Sequence, residues 1–292
     1  MGKIYDGIMG LVVADAFGVP FEFKKRDSFT VPDKLIGYGT YKQPPGTWSD
    51  DSSLALATLE SLQRLKTIDP ADMMGNFRMW LDHAEFTPYG EVFDIGMTTF
   101  NAIQKYKKGF PITECGCHSI RDNGNGSLMR ILPLAFTNCS MADVDAVSGL
   151  THGHDIAKQG CRIYITVARW LLQGMPLYLL HDEPFLWIGE YKFIKDQFKI
   201  GRDEIKSSGY VVDTLAAALW CIKQTNNYRD CIRLAVGLGG DTDTIAAVAG
   251  GLAGIMYGVG GEYGIPENWI DIIAEKDWIA ELCGNNDMIF ES

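Results

Sequence analysis

Two acidic segments that lie far apart in the chain carry the side chains best suited to chemistry. The first is residues 46–51 (GTWSDD), and the second is residues 239–244 (GGDTDT). Each combines carboxylates with hydroxyls and passes directly into an apolar, helix-like run. If the fold brings the two together, their carboxylates repel one another unless a cation neutralises them. Oxygen ligands without His or Cys favour magnesium, manganese or calcium over zinc.

Each acidic segment also has a simpler explanation as a helix cap. Ser, Thr and Asp are preferred just before a helix, where the side chain accepts a hydrogen bond from the first turn. One cap needs one such residue, whereas Asp50 with Asp51, and Asp241 with Asp243, supply more acid than capping needs. Both segments also share the order glycine, carboxylate, hydroxyl, with Ser52 and Thr244 as the hydroxyls that follow the acids. We therefore predict a divalent-metal site.

A third polar segment, residues 122–130 (DNGNGSLMR), runs directly into an apolar one. Asn-Gly repeats form turns, so a plain turn is one explanation. The alternative is a cradle for a phosphate or a sugar. Glycines let backbone N–H groups approach an anion, and the Asn, Ser and Arg side chains add donors. Composition alone leaves both explanations open.

Two shorter segments hold further candidates. His152 and His154 lie two residues apart in a chain with five histidines. Each could cap a helix or lie on the surface, or both could bind zinc with Asp155. We favour a ring that packs against a ligand, because this spacing is not a common zinc-binding pair. Glu22, between two phenylalanines, is either a solvated loop residue or a carboxyl tuned by an apolar pocket for proton transfer.

The bulk composition argues against several classes of function. With 26 basic and 37 acidic residues the chain has a net charge of −11, which argues against a general nucleic-acid-binding surface. The seven cysteines are odd in number and irregularly spaced, so they predict no disulfide framework and fit a reducing cytoplasm. The apolar stretch 8–23 is too short and too acidic for a membrane span or a signal peptide.

The elements that must position these residues have the periodicity of helices, and no stretch alternates as a strand would. We predict a single all-α domain over residues 1–292. A first helix from Ile4 ends at residues 18–20 (GVP), and residues 24–47 and 109–127 read as loops. Further helices are predicted near residues 71–84, 96–106, 141–149, 156–172, 211–223 and 228–237.

Two more helices follow the acidic segments. Asp50 or Asp51 is predicted to cap the first of these helices, and Asp243 the second. The second carries Gly250, Gly251 and Gly254, which weaken an isolated helix. Their expected use is a close approach between two helices in the core.

Taken in order, these segments resemble the ADP-ribosylglycohydrolase family. The most specific match is LGGDTDTIAA from residue 238, followed by AGGLAG from residue 249. GTWSDD, the NGSLMR that starts at residue 125, and the TH at residues 151–152 follow the same family pattern. SGYVVDT, from residue 208, resembles a loop near the family's adenosine pocket. The matches run along nearly the whole chain.

The resemblance implies an orthogonal multi-helix fold with a cleft that holds two divalent cations, Mg²⁺ or Mn²⁺. The implied metal ligands are Ser49, Asp50, Asp51, Asp241, Asp243 and Thr244. The implied catalytic carboxylates are Glu22, Asp50, Asp51, Asp122 and Asp243. The implied substrate contacts are Asn125, Gly126, Ser127, Met129, His152, Gly209 and Tyr210.

The resemblance further implies hydrolysis of the glycosidic bond between ADP-ribose and a modified target. Arginine on a protein is the leading target, and a small ADP-ribose conjugate is also compatible. The alternatives are another linkage (serine, O-acetyl-ADP-ribose or a nucleic-acid end) and a module that binds ADP-ribose without turnover. Loops 24–47 and 174–206 are expected to set this choice. We expect a cytoplasmic monomer that binds neither membranes nor nucleic acid in general.

Overall fold

A computed structural model of the chain describes residues 2–177, 179, 183 and 186–290. Within these residues the regular structure is helical, and β-type pairing is limited to isolated bridges. The all-α prediction is therefore confirmed. The helices are α1 (Lys3–Gly18), α2 (Asp50–Leu65), α3 (Pro70–His83), α4 (Met97–Lys107), α5 (Ile112–Cys115), α6 (Met141–Gly149), α7 (Asp155–Leu172), α8 (Ile194–Gln197), α9 (Val211–Gln224), α10 (Tyr228–Gly237), α11 (Thr242–Tyr257), α12 (Glu267–Ile270) and α13 (Lys276–Cys283).

The long helices lie close to their predicted bounds, but two predicted caps are wrong. Ser49, and neither Asp50 nor Asp51, caps α2, because its side chain accepts a hydrogen bond from the Asp51 N–H. Helix α11 begins directly after Asp241, so Asp243 lies inside the first turn and does not cap it. The predicted loop 109–127 contains α5, a single turn too short to show helical periodicity.

Helices α1 and α11 pack against each other at the centre of the fold. A Cβ atom added to Gly250 would lie 2.4 Å from both the Gly10 carbonyl oxygen and the Ala14 Cβ. One added to Gly254 would lie 2.2 Å from the Asp6 carbonyl oxygen. Only glycine lets the two backbones approach this closely. The close approach predicted for the α11 glycines is therefore confirmed.

The same contact brings the end of α1 against the start of α11. A Cβ atom on Gly18 would lie 2.4 Å from the Cα atom of Asp243, and the Thr242 hydroxyl donates to the Gly18 carbonyl at 2.9 Å. The second acidic segment is thereby held beside residues from the beginning of the chain.

The apolarity of α1 reflects its place in the core. By length and composition alone, the segment Lys3–Phe21 could cross a membrane. Its apolar window is wholly buried inside the fold, as in the core helix of a soluble protein. The segment is therefore weak evidence for a membrane span.

The two loops expected to set specificity differ in regularity. Residues 24–47 contain neither helix nor strand, as predicted. In the second loop, residues 178, 180–182, 184 and 185 lie outside the described residues. Its described part includes α8 and 3₁₀ turns at Gly189–Tyr191 and Arg202–Glu204.

Candidate active site

The first turns of α2 and α11 meet, and each brings one of the acidic segments. Asp51 lies in the first turn of α2 and Asp243 in that of α11. Helix N-termini carry a partial positive charge that favours carboxylates. Carboxylate oxygens of Asp15, Asp51 and Asp243 all lie within 4.8 Å of one another, and all three residues are buried. The two distant segments therefore form one acidic cluster.

Asp15, from α1, fixes the start of α2. Its carboxylate accepts hydrogen bonds from the backbone N–H groups of Ser49 and Ser52, at 3.1 and 3.0 Å, and from the Ser52 hydroxyl. Burial raises the pKa of Asp15 to about 6, and these hydrogen bonds oppose the shift. The contacts hold the first turn of α2 in position beside α1.

The glycines of the second acidic segment shape the turn that precedes α11. Gly239 and Gly240 both have left-handed backbone conformations, with φ of +70° and +76°, which glycine adopts without strain. The turn is tied to the backbone beside Glu22. The Phe23 N–H donates to the Gly240 carbonyl at 2.7 Å, and the Gly240 N–H donates to the Lys24 carbonyl at 2.8 Å. Glu22 is thereby placed next to the acidic cluster.

Hydroxyl groups donate hydrogen bonds to only some of the carboxylate oxygens in the cluster. Ser49 Oγ and Thr244 Oγ1 donate to Asp51 Oδ2, at 3.0 and 3.3 Å. Other oxygens are buried without a hydrogen-bond partner among the described residues. These are Glu22 Oε2, Asp51 Oδ1, Asp241 Oδ1 and Asp243 Oδ2. Buried oxygens without donors are costly, whereas an all-oxygen ligand set fits a hard divalent cation.

The carboxylates of this cluster repel one another. Burial raises the pKa of Asp50, Asp51 and Asp243 well above the usual range, and neighbouring carboxylates raise it further. Neither Lys nor Arg is among the described residues that line the adjoining cavity. Bound cations would relieve this repulsion, so the residues fit the metal that the resemblance implies.

Glu22 and Asp94 extend the acidic group. One oxygen of each lies within 4.8 Å of the other and of an Asp243 oxygen. Burial first, and the Asp94 charge second, raise the pKa of Glu22 to about 9, while a hydrogen bond with the Tyr41 hydroxyl opposes the shift. Glu22 is only 5% exposed, so it is not a solvated loop residue. Its setting is buried and acidic, and the raised pKa suits proton transfer.

Some of these acids line a cavity of about 250 Å³, whereas Asp15, Asp51 and Asp243 lie behind its lining. Its lining includes Glu22, Asp50, Asp94, Met97, Thr98, Thr99, Gly124, Asn125, Gly126, Met129, His152, Gly209, Asp241 and Thr244. The cavity therefore joins predicted metal ligands to most of the predicted substrate contacts. The roles of these residues stay predictions.

The glycine-rich segment 122–130 reaches the cavity through a turn paired with residues 209–211. The Asn125 N–H donates to the Gly209 carbonyl at 3.0 Å, and the Asn125 side-chain amide donates to Asp241 Oδ2 at 2.8 Å. A Cβ atom on Gly126 would lie 2.7 Å from the Cε1 atom of His152. Glycine therefore lets the turn pack against this ring, and the Asn125 amide orients an acid.

The two histidines occupy different positions. His154 caps α7, since its Nδ1 accepts a hydrogen bond from the Ile156 N–H at 3.3 Å. His152 is buried and lines the cavity. Among the described residues, neither belongs to a group with metal-ligand spacing. This agrees with a cap for one ring and a ligand-facing position for the other.

Two residues of the glycine-rich segment lie behind the cavity wall. The Ser127 hydroxyl is buried between Ser148 Oγ at 3.0 Å and Cys161 Sγ at 3.5 Å. Arg130, expected to offer a donor to an anion, is fully buried and donates to the Val147 carbonyl. Both side chains lie outside the cavity lining and so do not form part of a cradle there.

Two other predicted residues also lie outside the cavity lining. Tyr210 lines a neighbouring cavity of about 540 Å³. Asp122 accepts a hydrogen bond from the Ser119 N–H at 2.9 Å, which closes a local turn. The carboxylate of Asp122, which was predicted to be catalytic, is therefore engaged in a local turn and is absent from both acidic groups among the described residues.

Sequence reasoning did not assign Asp15 or Asp94 to the site. Asp15 has a signal: it is the one charged residue in the otherwise apolar run 8–17, where a carboxylate is costly unless it is hydrogen-bonded. Asp94 has no such signal, because its loop has no periodicity and does not repeat the acid–hydroxyl order. Asp94 lies near the cluster only because the folded loop brings it there.

Comparisons with known proteins agree with this geometry. The model of the ADP-ribosylglycohydrolase family matches residues 1–291. ADP-ribosylarginine hydrolase Tri1 of Serratia proteamaculans (strain 568) is 34% identical over 296 residues, covering 97% of this chain and 78% of that protein. The ADP-ribosyl-[dinitrogen reductase] glycohydrolase of Rhodospirillum rubrum is 30% identical over 277 residues, covering 92% and 89%.

The fold comparison gives the same result. A solved structure named ADP-ribosylglycohydrolase-related protein complex superposes with a TM-score of 0.81 at 30% identity, covering 96% of this chain and 95% of its own. The family resemblance seen in the motifs is confirmed, and it supports a glycohydrolase that acts on ADP-ribosyl groups. The chain belongs to the ADP-ribosylglycohydrolase family.

Proposed function

We propose that this protein hydrolyses the glycosidic bond between ADP-ribose and arginine on a modified protein, with two divalent cations, Mg²⁺ or Mn²⁺, as cofactors. The observation that carries the proposal is the cluster of buried carboxylates with unpartnered oxygens, which lies beside a cavity. The names of two relatives specify ADP-ribosylarginine and ADP-ribosyl-dinitrogen reductase as the substrates of those proteins. A small ADP-ribose conjugate has the same chemistry.

The cations would be held by the oxygen ligands of both acidic segments. These residues are Ser49, Asp50, Asp51, Asp241, Asp243 and Thr244. When bound, divalent cations supply Lewis-acid polarisation of the oxygens that they contact. Asp15 positions the first segment through its hydrogen bonds to Ser49 and Ser52, and Asn125 orients Asp241. Met129, His152 and Gly209 supply further contacts in the same cavity.

Glu22 is the proposed group for proton transfer. Hydrolysis requires that a water lose a proton and that the leaving nitrogen gain one, and a carboxyl within reach of the anomeric carbon can serve this purpose. Glu22 lies on the cavity wall, and its Oε2 has no hydrogen-bond partner among the described residues. Tyr41 and Asp94 lie against the same carboxyl. The predicted role of Asp122 has no such support.

Replacement Glu22→Gln is expected to lower kcat about a hundredfold or more, the usual contribution of a positioned general acid or base. The amide keeps the size of the side chain but cannot transfer the proton. Because the other oxygen ligands remain, KM should change far less than kcat. Initial rates of ADP-ribose release at saturating substrate measure this.

The control for net charge is Glu85→Gln. Glu85 is exposed in the segment after α3 and is not among the residues that line the cavity. Its replacement should leave both kcat and KM unchanged. A folded Glu22→Gln variant with the wild-type kcat would show that another group transfers the proton.

The function itself is tested by release of free ADP-ribose from arginine-ADP-ribosylated protein in Mg²⁺, Mn²⁺ or EDTA. We expect release with either cation and none in EDTA. Parallel assays use serine-linked ADP-ribose, O-acetyl-ADP-ribose and an ADP-ribosylated nucleic-acid end. Faster release from one of these would reassign the linkage. Tight ADP-ribose binding without release from any substrate would contradict the hydrolase and indicate a binding module.

We also propose that the protein acts as a monomer in the cytoplasm. All seven cysteines are free thiols, which suits a reducing compartment. The net charge of −11 disfavours binding to nucleic acid in general and to anionic membrane surfaces. The specificity of the reaction is proposed to reside in loops 24–47 and 174–206.

A further inference from the structure

Arg130 is a buried cation that the proposed chemistry does not use. Its side chain is fully buried, and the guanidinium lies 4.7 Å from the centroid of the Phe77 ring. Nη2 donates to the Val147 carbonyl at 3.0 Å and to Thr151 Oγ1 at 2.9 Å. Nε and Nη1 have no hydrogen-bond partner within the described part of the chain. Burying a guanidinium is costly, so its contacts merit a functional explanation.

Thr151 connects this cation to His152. Thr151 Oγ1 lies 2.8 Å from His152 Nδ1. An arginine side chain only donates, so the Thr151 oxygen accepts from Arg130 and its single proton must go elsewhere. Among the described residues, the acceptor within reach of this hydroxyl is His152 Nδ1. A neutral imidazole whose Nδ1 accepts carries its proton on Nε2.

The Nε2 atom of His152 lies beside Gly124 and Gly126, two glycines of the cavity wall. Cβ atoms added to Gly126 and Gly124 would lie 3.3 and 3.5 Å from Nε2, and all three residues line the cavity. The backbone around the ring is also fixed, since the Cys117 N–H donates to the Thr151 carbonyl at 2.9 Å. The ring therefore has one defined orientation, with Nδ1 towards Thr151 and Nε2 towards these two glycines of the cavity wall.

The charge state of the ring matters beside so many carboxylates. A cationic imidazolium would be drawn to the acids and would oppose the binding of metal cations. Burial first, and the Arg130 charge second, lower the pKa of His152 to about 3, so the ring stays neutral near pH 7. A neutral N–H group can still donate to a ligand oxygen.

We propose that Arg130 and Thr151 are positioning residues that hold His152 in the Nε2–H tautomer, so that His152 donates a hydrogen bond to an oxygen of the bound ligand. The identity of that ligand rests on the proposed function, since ADP-ribose carries phosphate and ribose oxygens. The tautomer does not rest on it, because the Arg130–Thr151–His152 contacts are present in the protein alone.

Ring-nitrogen NMR of ¹⁵N-histidine-labelled protein at pH 7, without metal or nucleotide, tests the tautomer directly. His152→Gln identifies the His152 signals among those of the five histidines. We expect Nε2 to be protonated and Nδ1 to be unprotonated. A wild-type spectrum with the proton on Nδ1, or with both nitrogens protonated, would overturn the proposal.

Thr151→Val keeps the size of the side chain and removes the hydroxyl. We expect His152 to lose its single tautomer and the Kd for ADP-ribose to rise about tenfold, the loss of one well-formed hydrogen bond. KM should rise in parallel while kcat changes little. Thr151→Ser, which restores the hydroxyl, should return both the tautomer and the Kd to wild-type values. A Thr151→Val protein that keeps the Nε2–H tautomer and the wild-type Kd would contradict the proposal.

The outcomes separate this inference from the proposed function. If Thr151→Val does not fold, the wild-type and Thr151→Ser spectra still decide the tautomer. If the wild type shows the Nε2–H tautomer but releases no ADP-ribose from any linkage, the proposed hydrolysis is wrong and the positioning of His152 stands.

Discussion

Replacement of Asp243 by asparagine is expected to lower the rate of ADP-ribose release about a thousandfold, because it removes a proposed ligand of cations that would supply several kcal/mol of charge stabilisation. Asp243 is the residue common to both acidic groups, since its oxygens lie near those of Asp15 and Asp51 and near those of Glu22 and Asp94. Asparagine keeps the shape of the side chain but removes its charge. Initial rates at saturating Mn²⁺ and substrate measure the loss.

The same variant should change how cations affect stability. In the wild type, a cation that binds only the folded state adds about 2.7 kcal/mol at a hundredfold excess over its Kd. Asp243→Asn should gain less from Mg²⁺ or Mn²⁺. In EDTA it should melt above the wild type, because it removes one of several repelling charges. Thermal unfolding with and without cation measures both effects.

Asp230→Asn is the matched control for a first-turn aspartate. Asp230 is exposed in the first turn of α10, and its carboxylate accepts a hydrogen bond from the Asn227 side chain. Its replacement should leave the rate and the cation response as in the wild type. If Asp243→Asn folded and hydrolysed at the wild-type rate, the acidic cluster would not be the catalytic centre.

Gly250→Ala is expected to lower the free energy of unfolding by about 3 kcal/mol through overpacking. The added methyl group would lie 2.4 Å from the Gly10 carbonyl oxygen, so a backbone rather than a flexible side chain must move. Separation of α1 from α11 would also disturb the contact between Gly18 and Asp243. We therefore expect activity to fall with the free energy of unfolding, measured by urea denaturation.

Gly75→Ala is the control, and its expected effect has the opposite sign. Gly75 lies inside α3, and a Cβ atom there would meet nothing within 4 Å. Alanine should stabilise this helix by roughly 0.5–1 kcal/mol, because glycine loses more conformational freedom on folding. If both substitutions stabilised the protein by a similar amount, helix propensity, and not the close packing of α1 with α11, would govern Gly250.

The long helices were predictable because their apolar residues repeat with the helical period over several turns. Helices α6 and α10 span the residues that the pattern predicts. The caps of α2 and α11 were predicted less well, because consecutive Ser, Asp and Thr residues all favour the same position. The choice of Ser49 depends on Asp15, which binds the first turn of α2 from another helix. No local pattern contains that contact.

The two acidic segments carry more carboxylates than helix capping needs, which led to the prediction of a shared metal site, and the structure does bring their carboxylates together. Their neighbours were harder to predict. Asp94 reaches the cluster through an irregular loop, and Arg130 points away from the cavity that its segment helps to line. The direction in which a loop side chain points depends on tertiary contacts, and these cannot be predicted from the spacing of residues in the sequence. The single-domain prediction, like the assigned site roles, stays a prediction.

The glycine contact between α1 and α11 also determines when the site can form during synthesis. Helix α1 leaves the ribosome long before residues 241–244, yet its apolar surface packs against α11. Contacts so distant in sequence slow folding, and an unpartnered apolar helix is exposed to aggregation in the interval. The acidic cluster cannot be complete until α11 docks. Cation binding during folding would therefore indicate that α11 has docked onto α1. A chaperone that shields the apolar surface of α1 in the interval would raise the yield of active protein.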